Sequence, residues 1–437
     1  MSKKKNFPSM DNLSGLGDLQ KKILITFALL FVYRLGIHIP TPGVNGDALA
    51  AFFAQTKGTL LNFFDMFAGG GLRRVSIFAL GIMPYISAAI IMELLTVVIP
   101  KLDQLKKEGQ EGYKKITQYS RYGTVLISFI QGLGLAIGLE NMTSPGGIPV
   151  VNDPGWFFRI NTAITLCTGT VFIMWLGERI TEKGIGNGIS LIIFAGIVTR
   201  LPSAVINTLR LIRTGEISLI VAILVLVFAI IVVGAIIFFE TAQRRIPIHY
   251  ARRVVGRRVY GGQSTYLPLK LNTAGVIPPI FASSILLFPA TVTTFIKIPA
   301  FQKINQFFSP FSITYNIIYV ILIFAFCFFY TAITFRSDNV AENLRKYGGF
   351  IPGIRPGKKT AEYIDKILTR VTFWGAIYVS AVCVLPKILI KEANVPFYFG
   401  GTSLLIVVGV AIDVMQRIES YLINRNYEGL VKKVAKR

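Results

Sequence analysis

The sequence repeatedly runs through apolar stretches long enough to cross a lipid bilayer, and this feature constrains the fold most. A helix needs roughly 17 to 25 apolar residues to span the hydrocarbon core, and 53% of the 437 residues are hydrophobic. Backbone groups find no partner in hydrocarbon, which favours helices whose hydrogen bonds are internal. We predict an all-α polytopic membrane protein with ten transmembrane helices. The predicted spans are 23–40, 75–99, 122–139, 156–176, 189–206, 219–239, 274–291, 317–333, 371–389 and 398–414.

The Lys and Arg residues indicate the orientation of these spans. About three quarters of the 46 lie in alternate connections and in the two termini, and such segments remain on the cytoplasmic side. The first apolar run is followed by the sequence PTPGV, which is no signal-peptide cleavage site. We therefore predict a multi-pass protein of the cell membrane with both termini in the cytoplasm. The net charge of +24 then lies mainly on the cytoplasmic face.

The ten spans divide into two groups of five at the polar turn 207–216. An odd number of spans in each group makes the two groups inverted with respect to each other, as in many transport proteins. This pattern is one of hydropathy, without a strong residue repeat. We predict an N-terminal half over 1–206, with helices 1–5, and a C-terminal half over 207–437, with helices 6–10.

The stretch 61–99 contains a short apolar segment that breaks before a full span begins. The sequence LLNFFDMFA is followed by three glycines at 69–71 and by Arg73 and Arg74. A broken segment at membrane depth has to be buried in protein or line an aqueous cavity. We expect the segment to lie inside the protein and the following span to form part of the surrounding wall.

Two cytoplasmic loops, 243–270 and 336–366, are longer than a simple connection requires, and long loops are commonly functional. The sequence IPIHYARRVVGRRV alternates apolar and basic residues and predicts a hairpin. Arg355 lies between Gly353 and Pro356, which predicts a tight turn. Such a basic surface suits RNA or an acidic protein. The alternative is that both are ordinary cytoplasmic loops, which carry an excess of Lys and Arg in most membrane proteins.

The sequence contains little that would support an enzymatic function. The two histidines, His38 and His249, fall at an outer helix end and in a cytoplasmic loop, and no GxSxG or HExxH motif occurs. GIRPGKKT resembles the end of a phosphate-binding loop, but Pro352 and Lys359 replace the required residues. The three cysteines lie in apolar runs without metal-ligand spacing and are interpreted as packing residues. We predict no enzyme, cofactor or metal. A transporter of small solutes and a passive membrane scaffold stay open as functions at this point.

Several motifs together resemble the SecY family, the channel subunits of Sec protein translocases. They are FALGIMPYISAAIIMELL, ERITEKGIGNGISLIIFAGIV, ETAQRRIPIHYARR, LPLKLNTAGVIPPIFASSILLFP, GGFIPGIRPGK and FYFGGTSLLIVVGVAID, in family order over nearly the whole chain. The resemblance implies an hourglass-shaped central pore between two inverted five-helix halves. Unfolded polypeptide would cross through this pore, and signal sequences or transmembrane segments would leave it sideways into lipid.

The resemblance also assigns roles inside the pore. The segment of about 61–72 corresponds to the family's plug, with residues Leu61, Phe63, Phe64, Met66, Phe67, Gly69 and Gly70. The family's pore ring corresponds to Ile82, Ile86, Ile189, Ile193, Ile280 and Ile406. Branched apolar side chains exclude ions by dewetting and make no specific bond to a passing chain. Taken alone, an isoleucine in a membrane helix is usually a packing or lipid-facing residue, and this is the alternative for each of the six.

The lateral exit implied by the resemblance lies between spans 2 and 3 on one side and spans 7 and 8 on the other. Ser87, Gln131 and Asn272 are candidates for a hydrogen-bonded latch there, with simple helix packing as the alternative. Prolines at 84, 278 and 279 are expected to kink these helices.

The resemblance also implies partners for the two cytoplasmic loops. They correspond to a docking surface for the SecA motor ATPase and the ribosome, for which we single out Arg252, Arg253 and Arg355. Further implied partners are the small membrane subunits SecE and SecG. Anionic lipids suit the basic face.

Overall fold

The computed structural model describes residues 17–55, 65, 68–142, 147–215, 218–250, 253–255, 258–260, 264–295, 312–393 and 401–435. Helices dominate these residues. In the first part of the chain they are α1 Gly17–Gly36, α2 Gly46–Gln55, α3 Met83–Val98, α4 Pro100–Lys107, α5 Gln110–Glu140, α6 Trp156–Lys183, α7 Gly188–Val198 and α8 Leu201–Arg213. They continue with α9 Leu219–Thr241, α10 Ile277–Phe295, α11 Ile313–Thr334, α12 Ser337–Lys346, α13 Lys358–Ala393 and α14 Gly401–Ala435.

The strands lie in the two long loops between helices. They are β1 Gln243–Tyr250, β2 Arg253–Val255, β3 Arg258–Tyr260, β4 Ser264–Lys270 and β5 Gly349–Phe350. One sheet has the order β4-β1-β5, and β2 pairs with β3 in a second sheet. Both arrangements are antiparallel.

Each predicted span overlaps a helix of the described residues. Seven helices of the described residues are long and apolar enough to cross a membrane. The count becomes eight if α3 and α4, bent by 100° at their junction, form one span. Helix α1 carries Lys21, Lys22 and Arg34 near its ends, and only a short apolar part of α10 is counted, 277–286. The chain is a multi-pass membrane protein, and ten crossings remain a prediction.

The second span begins later than predicted. Helix α3 starts at Met83, whereas residues 75–82 form turns. These turns pair with the chain after α1: Thr41 N donates to Val75 O at 2.8 Å and Ile77 N to Ile39 O at 3.0 Å. Val75 has a φ of +39°, which is unusual for a β-branched residue. Hydropathy detects the apolar run but not these tertiary bonds, so the predicted start at 75 was wrong.

The predicted proline kinks were also wrong. Pro84 lies in the first turn of α3, and Pro278 and Pro279 are the second and third residues of α10. The first turn of a helix leaves its backbone N–H groups without intrahelical partners, so a proline there breaks no bond. These prolines therefore mark helix starts.

The chain divides into two compact units, Met1–Arg200 with Val410–Arg437, and Leu201–Gly409. In the first unit Phe78 stacks between Tyr33 and Phe172, with ring centroids 6.1 and 5.9 Å apart. Helix α5 packs along α6, and Arg121 donates to both carboxylate oxygens of Glu178, at 2.9 and 2.8 Å. The predicted division at residues 206 and 207 remains a prediction.

In the second unit α10, α11 and α13 pack together around aromatic side chains. Phe281 meets Phe326 edge to face at 5.8 Å. The buried Tyr319 hydroxyl lies 3.1 Å from the Thr402 hydroxyl. Cys327 and Cys383 are buried, and neither forms a disulfide bond within the described part of the chain.

Candidate functional site

The glycines after the broken segment form a tight turn against the helices of the first unit. Gly69 and Gly70 have φ angles of +65° and +93°, which a side chain would strain. A Cβ atom on Gly69 would lie 3.2 Å from Gly196 Cα, so the turn touches the backbone of α7. Arg34 Nη1 donates to Gly69 O at 3.1 Å. Leu61, Phe63, Phe64, Met66 and Phe67 lie outside the described residues.

A buried carboxylate fixes the start of this turn. Asp65 is fully buried, and its Oδ2 is 3.0 Å from Arg73 Nε and also forms an ion pair with Arg200 Nη2. Its Oδ1 accepts a hydrogen bond from Arg73 N at 3.0 Å, and its backbone O accepts one from Gly70 N at 2.9 Å. We call Asp65, Arg73 and Arg200, with the Arg34–Gly69 bond, the plug anchor.

Asp65, Arg34 and Arg200 were not predicted from the sequence as functional residues. An acidic residue inside an apolar segment is costly unless it is paired, and this was a usable signal for Asp65. Arg73, eight residues away, was a visible partner. Arg200 is separated from Asp65 by 135 residues, and no local pattern connects them.

The six predicted pore isoleucines are not lipid-exposed side chains in the structure. Five are buried, with exposed fractions between 0% and 6%, and Ile189 is half-buried. Ile86 N donates to Ile82 O at 3.1 Å, which confirms that this pair stacks one turn apart. Ile82, Ile86, Ile189 and Ile193 belong to the first unit, and Ile280 and Ile406 to the second. The ring itself stays a prediction.

The three predicted latch residues have different surroundings. Asn272 is buried, and its Nδ2 donates to Glu240 Oε1 at 2.7 Å and to Gly275 O at 2.9 Å. The Gln131 Oε1 atom is buried and has no hydrogen-bond partner among the described residues. Ser87 is half-buried on α3. A latch between them remains a prediction.

The two basic loops are parts of one folded platform. Strand β1 pairs with β4 of its own loop and, at His249 and Tyr250, with β5 of the other loop. Beneath the sheet lies a small core to which both loops contribute, Ile246, Leu269, Ile351 and Ile364. Strands β1 and β4, with β2 and β3 at the tip, confirm the predicted hairpin. We call this body, formed by β1–β5 and α12, the cytoplasmic platform, after the side of the membrane on which the sequence predicts it to lie.

The predicted tight turn at Arg355 is confirmed. Ile354 N donates to Ile351 O at 3.1 Å, and Gly353 has a φ of +78°. The backbone O of Arg355 accepts the Thr360 hydroxyl at 3.0 Å, which ties the turn to the start of α13. Arg355 is exposed. Arg252 lies outside the described residues, and of Arg253 only the backbone, in β2, is described.

The SecY family model matches residues 76–415, well over half of the chain. The chain belongs to the SecY family. It is 49% identical to protein translocase subunit SecY of Pseudomonas aeruginosa, over 99% of this chain and 97% of the relative. It is 48% identical to protein translocase subunit SecY of Escherichia coli K12, over 99% and 98%. The predicted family is confirmed, and it is a family of translocase subunits and not of enzymes.

Solved structures agree with this fold. One described as "The structure of a protein conducting channel" has a TM-score of 0.65 at 16% identity and covers 92% of each chain. The same score, identity and coverage hold for "Sec61 in the Canine ribosome-channel complex from the endoplasmic reticulum". At such low identity the likeness establishes the fold, which is that of the SecY channels.

Proposed function

We propose that this chain is the protein-conducting channel of a Sec translocase, located in the cell membrane with both termini in the cytoplasm. It would pass unfolded secretory polypeptides across the membrane and release transmembrane segments sideways into lipid. The observation that carries this proposal is the identity of 48–49% to named translocase subunits over 99% of the chain. The SecY family match over residues 76–415 agrees with it. The anchored turn after the broken segment supports the proposal, because a channel at rest has to be closed to ions.

The pore residues suit a conduit that accepts any sequence. Ile82, Ile86, Ile189, Ile193, Ile280 and Ile406 would surround the translocating chain. Isoleucine offers no donor, acceptor or charge, so it binds no particular side chain, and a narrow apolar ring dewets and impedes ions. The plug, about residues 61–72, would close the resting pore against this ring.

Lateral release requires a seam that is held by weak bonds. Ser87, Gln131 and Asn272 would line this seam, since uncharged polar groups inside a membrane form hydrogen bonds of modest strength. Gln131 Oε1, which has no hydrogen-bond partner among the described residues, could accept such a bond. Opening would then exchange these bonds for bonds to water or to the passing chain.

The driving force has to come from partners, because the sequence holds no complete nucleotide-binding motif. The cytoplasmic platform would bind the SecA motor ATPase or the ribosome through exposed arginines, with Arg355, Arg252 and Arg253 as the main candidates. Guanidinium groups suit both carboxylates and RNA phosphates. SecE and SecG would be the accompanying membrane subunits, and anionic lipids would contact the basic face.

Site-specific photocrosslinking of a stalled secretory chain tests this proposal. With the crosslinker at Ile82 or at Ile280, we expect adducts to the stalled chain. The matched control is Ile230 in α9, an isoleucine that is 63% exposed and should react with lipid instead. Adducts at Ile82 and Ile280 no stronger than those at Ile230 would contradict a path through the predicted ring.

A further inference from the structure

We propose that the plug anchor is an electrostatic restraint that keeps the channel closed, and that Asp65 is its central positioning residue. This inference rests on the proposed function, because it concerns the gating of the same pore. The anchor holds the described turn 68–72 to the framework of the first unit. Opening would require the ion pair between Asp65 and Arg200 to separate.

The bonds of Asp65 are of two kinds. Those to Arg73 and Gly70 lie within the segment and give the turn its shape. The ion pair with Arg200 connects the segment to the residue just beyond α7. The Arg34–Gly69 bond makes a second connection, to the last turn of α1. Two bonds therefore tether the segment, one to the last turn of α1 and one to the residue just beyond α7.

Several charges act on Arg200 within the anchor. Arg34 and Arg73 are close enough to Arg200 to act on it electrostatically, and Asp65 acts on it with the opposite sign. Asp65 forms ion pairs with both Arg73 and Arg200. Without the charge of Asp65, Arg200 would lose this attraction and keep the repulsion from the two nearby guanidinium groups.

The anchor is also suited to release. Asp65 is fully buried, but the side chains of Arg200 and Arg73 are 26% and 49% exposed. Ion pairs are strong where water is excluded and weak where it enters. Water that reaches the pair as a polypeptide displaces the segment would solvate both charges. The same pair can thus hold the resting segment and yield during opening.

Backbone packing adds to the restraint and does not replace it. The contact between Gly69 and Gly196 positions the turn closely on α7, but two glycines provide little dispersion energy. Lipid tails are as apolar as the side chains, so the hydrophobic effect does not drive helices to associate in the membrane. The ion pair is therefore the strongest described link between the turn and α7.

Resting ion conductance of the reconstituted translocase complex in planar bilayers tests the inference. Asp65→Asn and Arg200→Gln should each raise this conductance about twofold, because either change breaks the ion pair between the buried Asp65 and Arg200. The double variant should not exceed Asp65→Asn by much, since Asp65→Asn already removes the ion pair that Arg200→Gln removes. Arg200→Lys retains the charge and should leak less than Arg200→Gln.

Arg74→Gln is the matched control. It removes the same charge from the neighbouring exposed arginine, for which the described residues provide no ion-pair partner. Its conductance should equal that of the unaltered complex. Equal leakage from Arg74→Gln and Arg200→Gln would overturn the inference, because net charge and not the anchor would then control the pore.

Translocation of a secretory precursor by the same preparations separates gating from folding. Leaky variants that still translocate support the anchor, and wild-type conductance in translocating Asp65→Asn and Arg200→Gln complexes overturns it. Independent, multiplying effects of the two substitutions would also overturn it. If the unaltered complex passed no precursor at all, the proposed function itself would fail.

Discussion

At Gly169 the backbone of α6 approaches the turns that precede α3 so closely that a methyl group has no room. A Cβ atom there would lie 1.8 Å from the carbonyl oxygen of Ile77. Backbone on both sides of the contact cannot rotate away as a side chain would. We expect Gly169→Ala to destabilise the protein by about 1–3 kcal/mol, the usual cost of overpacking. Thermal unfolding of the purified protein in detergent measures the effect.

Gly134 provides the control for this substitution. It lies within helix α5, and a Cβ atom on it would meet no other atom within 4 Å. Gly134→Ala should keep or slightly raise the unfolding temperature, because alanine favours the helix. If both substitutions left the unfolding temperature equally unchanged, the close approach of Gly169 to Ile77 would be wrong.

Single residues were predictable from the sequence where their role depends on near neighbours. The four-residue spacing of Ile82 and Ile86 places them one helical turn apart, and Gly353 with Pro356 predicts the turn around Arg355. The partner of Asp65 just beyond α7 and the contact of Gly169 with Ile77 depend on tertiary packing. Sequence spacing carries no information about such contacts.

At the scale of elements, Arg355 is held on a platform that stabilises its position. Its turn is closed by backbone bonds and joined to α13, and the sheet beneath connects both basic loops. A rigid surface loses little entropy on binding. We expect Arg355→Glu to reduce motor-driven export about tenfold or more, because like charges then face each other in the complex. Export of a precursor into membrane vesicles measures the change.

Membrane insertion of the Arg355→Glu protein should remain normal, since the side chain is exposed on the platform. Arg210→Glu is the control, an exposed arginine near the end of α8, on the predicted outer side. It changes the net charge equally and should leave export unaffected. Equal export by the wild type and by Arg355→Glu would contradict the docking role of this residue.

Elements were predictable to different degrees. Alternating apolar and basic residues indicated the hairpin, and long apolar runs indicated the helices. The joining of the two loops through β1 and β5 was not predictable, because those strands lie about a hundred residues apart in the sequence. The start of α3 was missed for a related reason: bonds from residues 39–41 hold residues 75–77 in turns.

At the scale of the whole molecule, the family and the multi-pass fold followed from the sequence, since motifs in order and apolar runs extend over nearly the entire chain. The proposed channel then has two seals in its path, the plug with its anchor and the ring of isoleucines. Seals in series add their resistances to ion flow. Weakening one leaves the other in place, so each single defect produces a limited leak.

This arrangement predicts how combined variants behave. Replacing Ile82, Ile193 and Ile280 with serine should raise resting conductance about twofold, because hydroxyl groups allow water into the constriction. Leucine at the same positions keeps the ring apolar and should leave conductance low, as should serine at the membrane-exposed Ile230. Combined with Asp65→Asn, the serine ring should leak more than the sum of the two separate increases, because both resistances then fall together. A purely additive result in planar bilayers would mean that ions bypass the ring, and the series arrangement would be wrong.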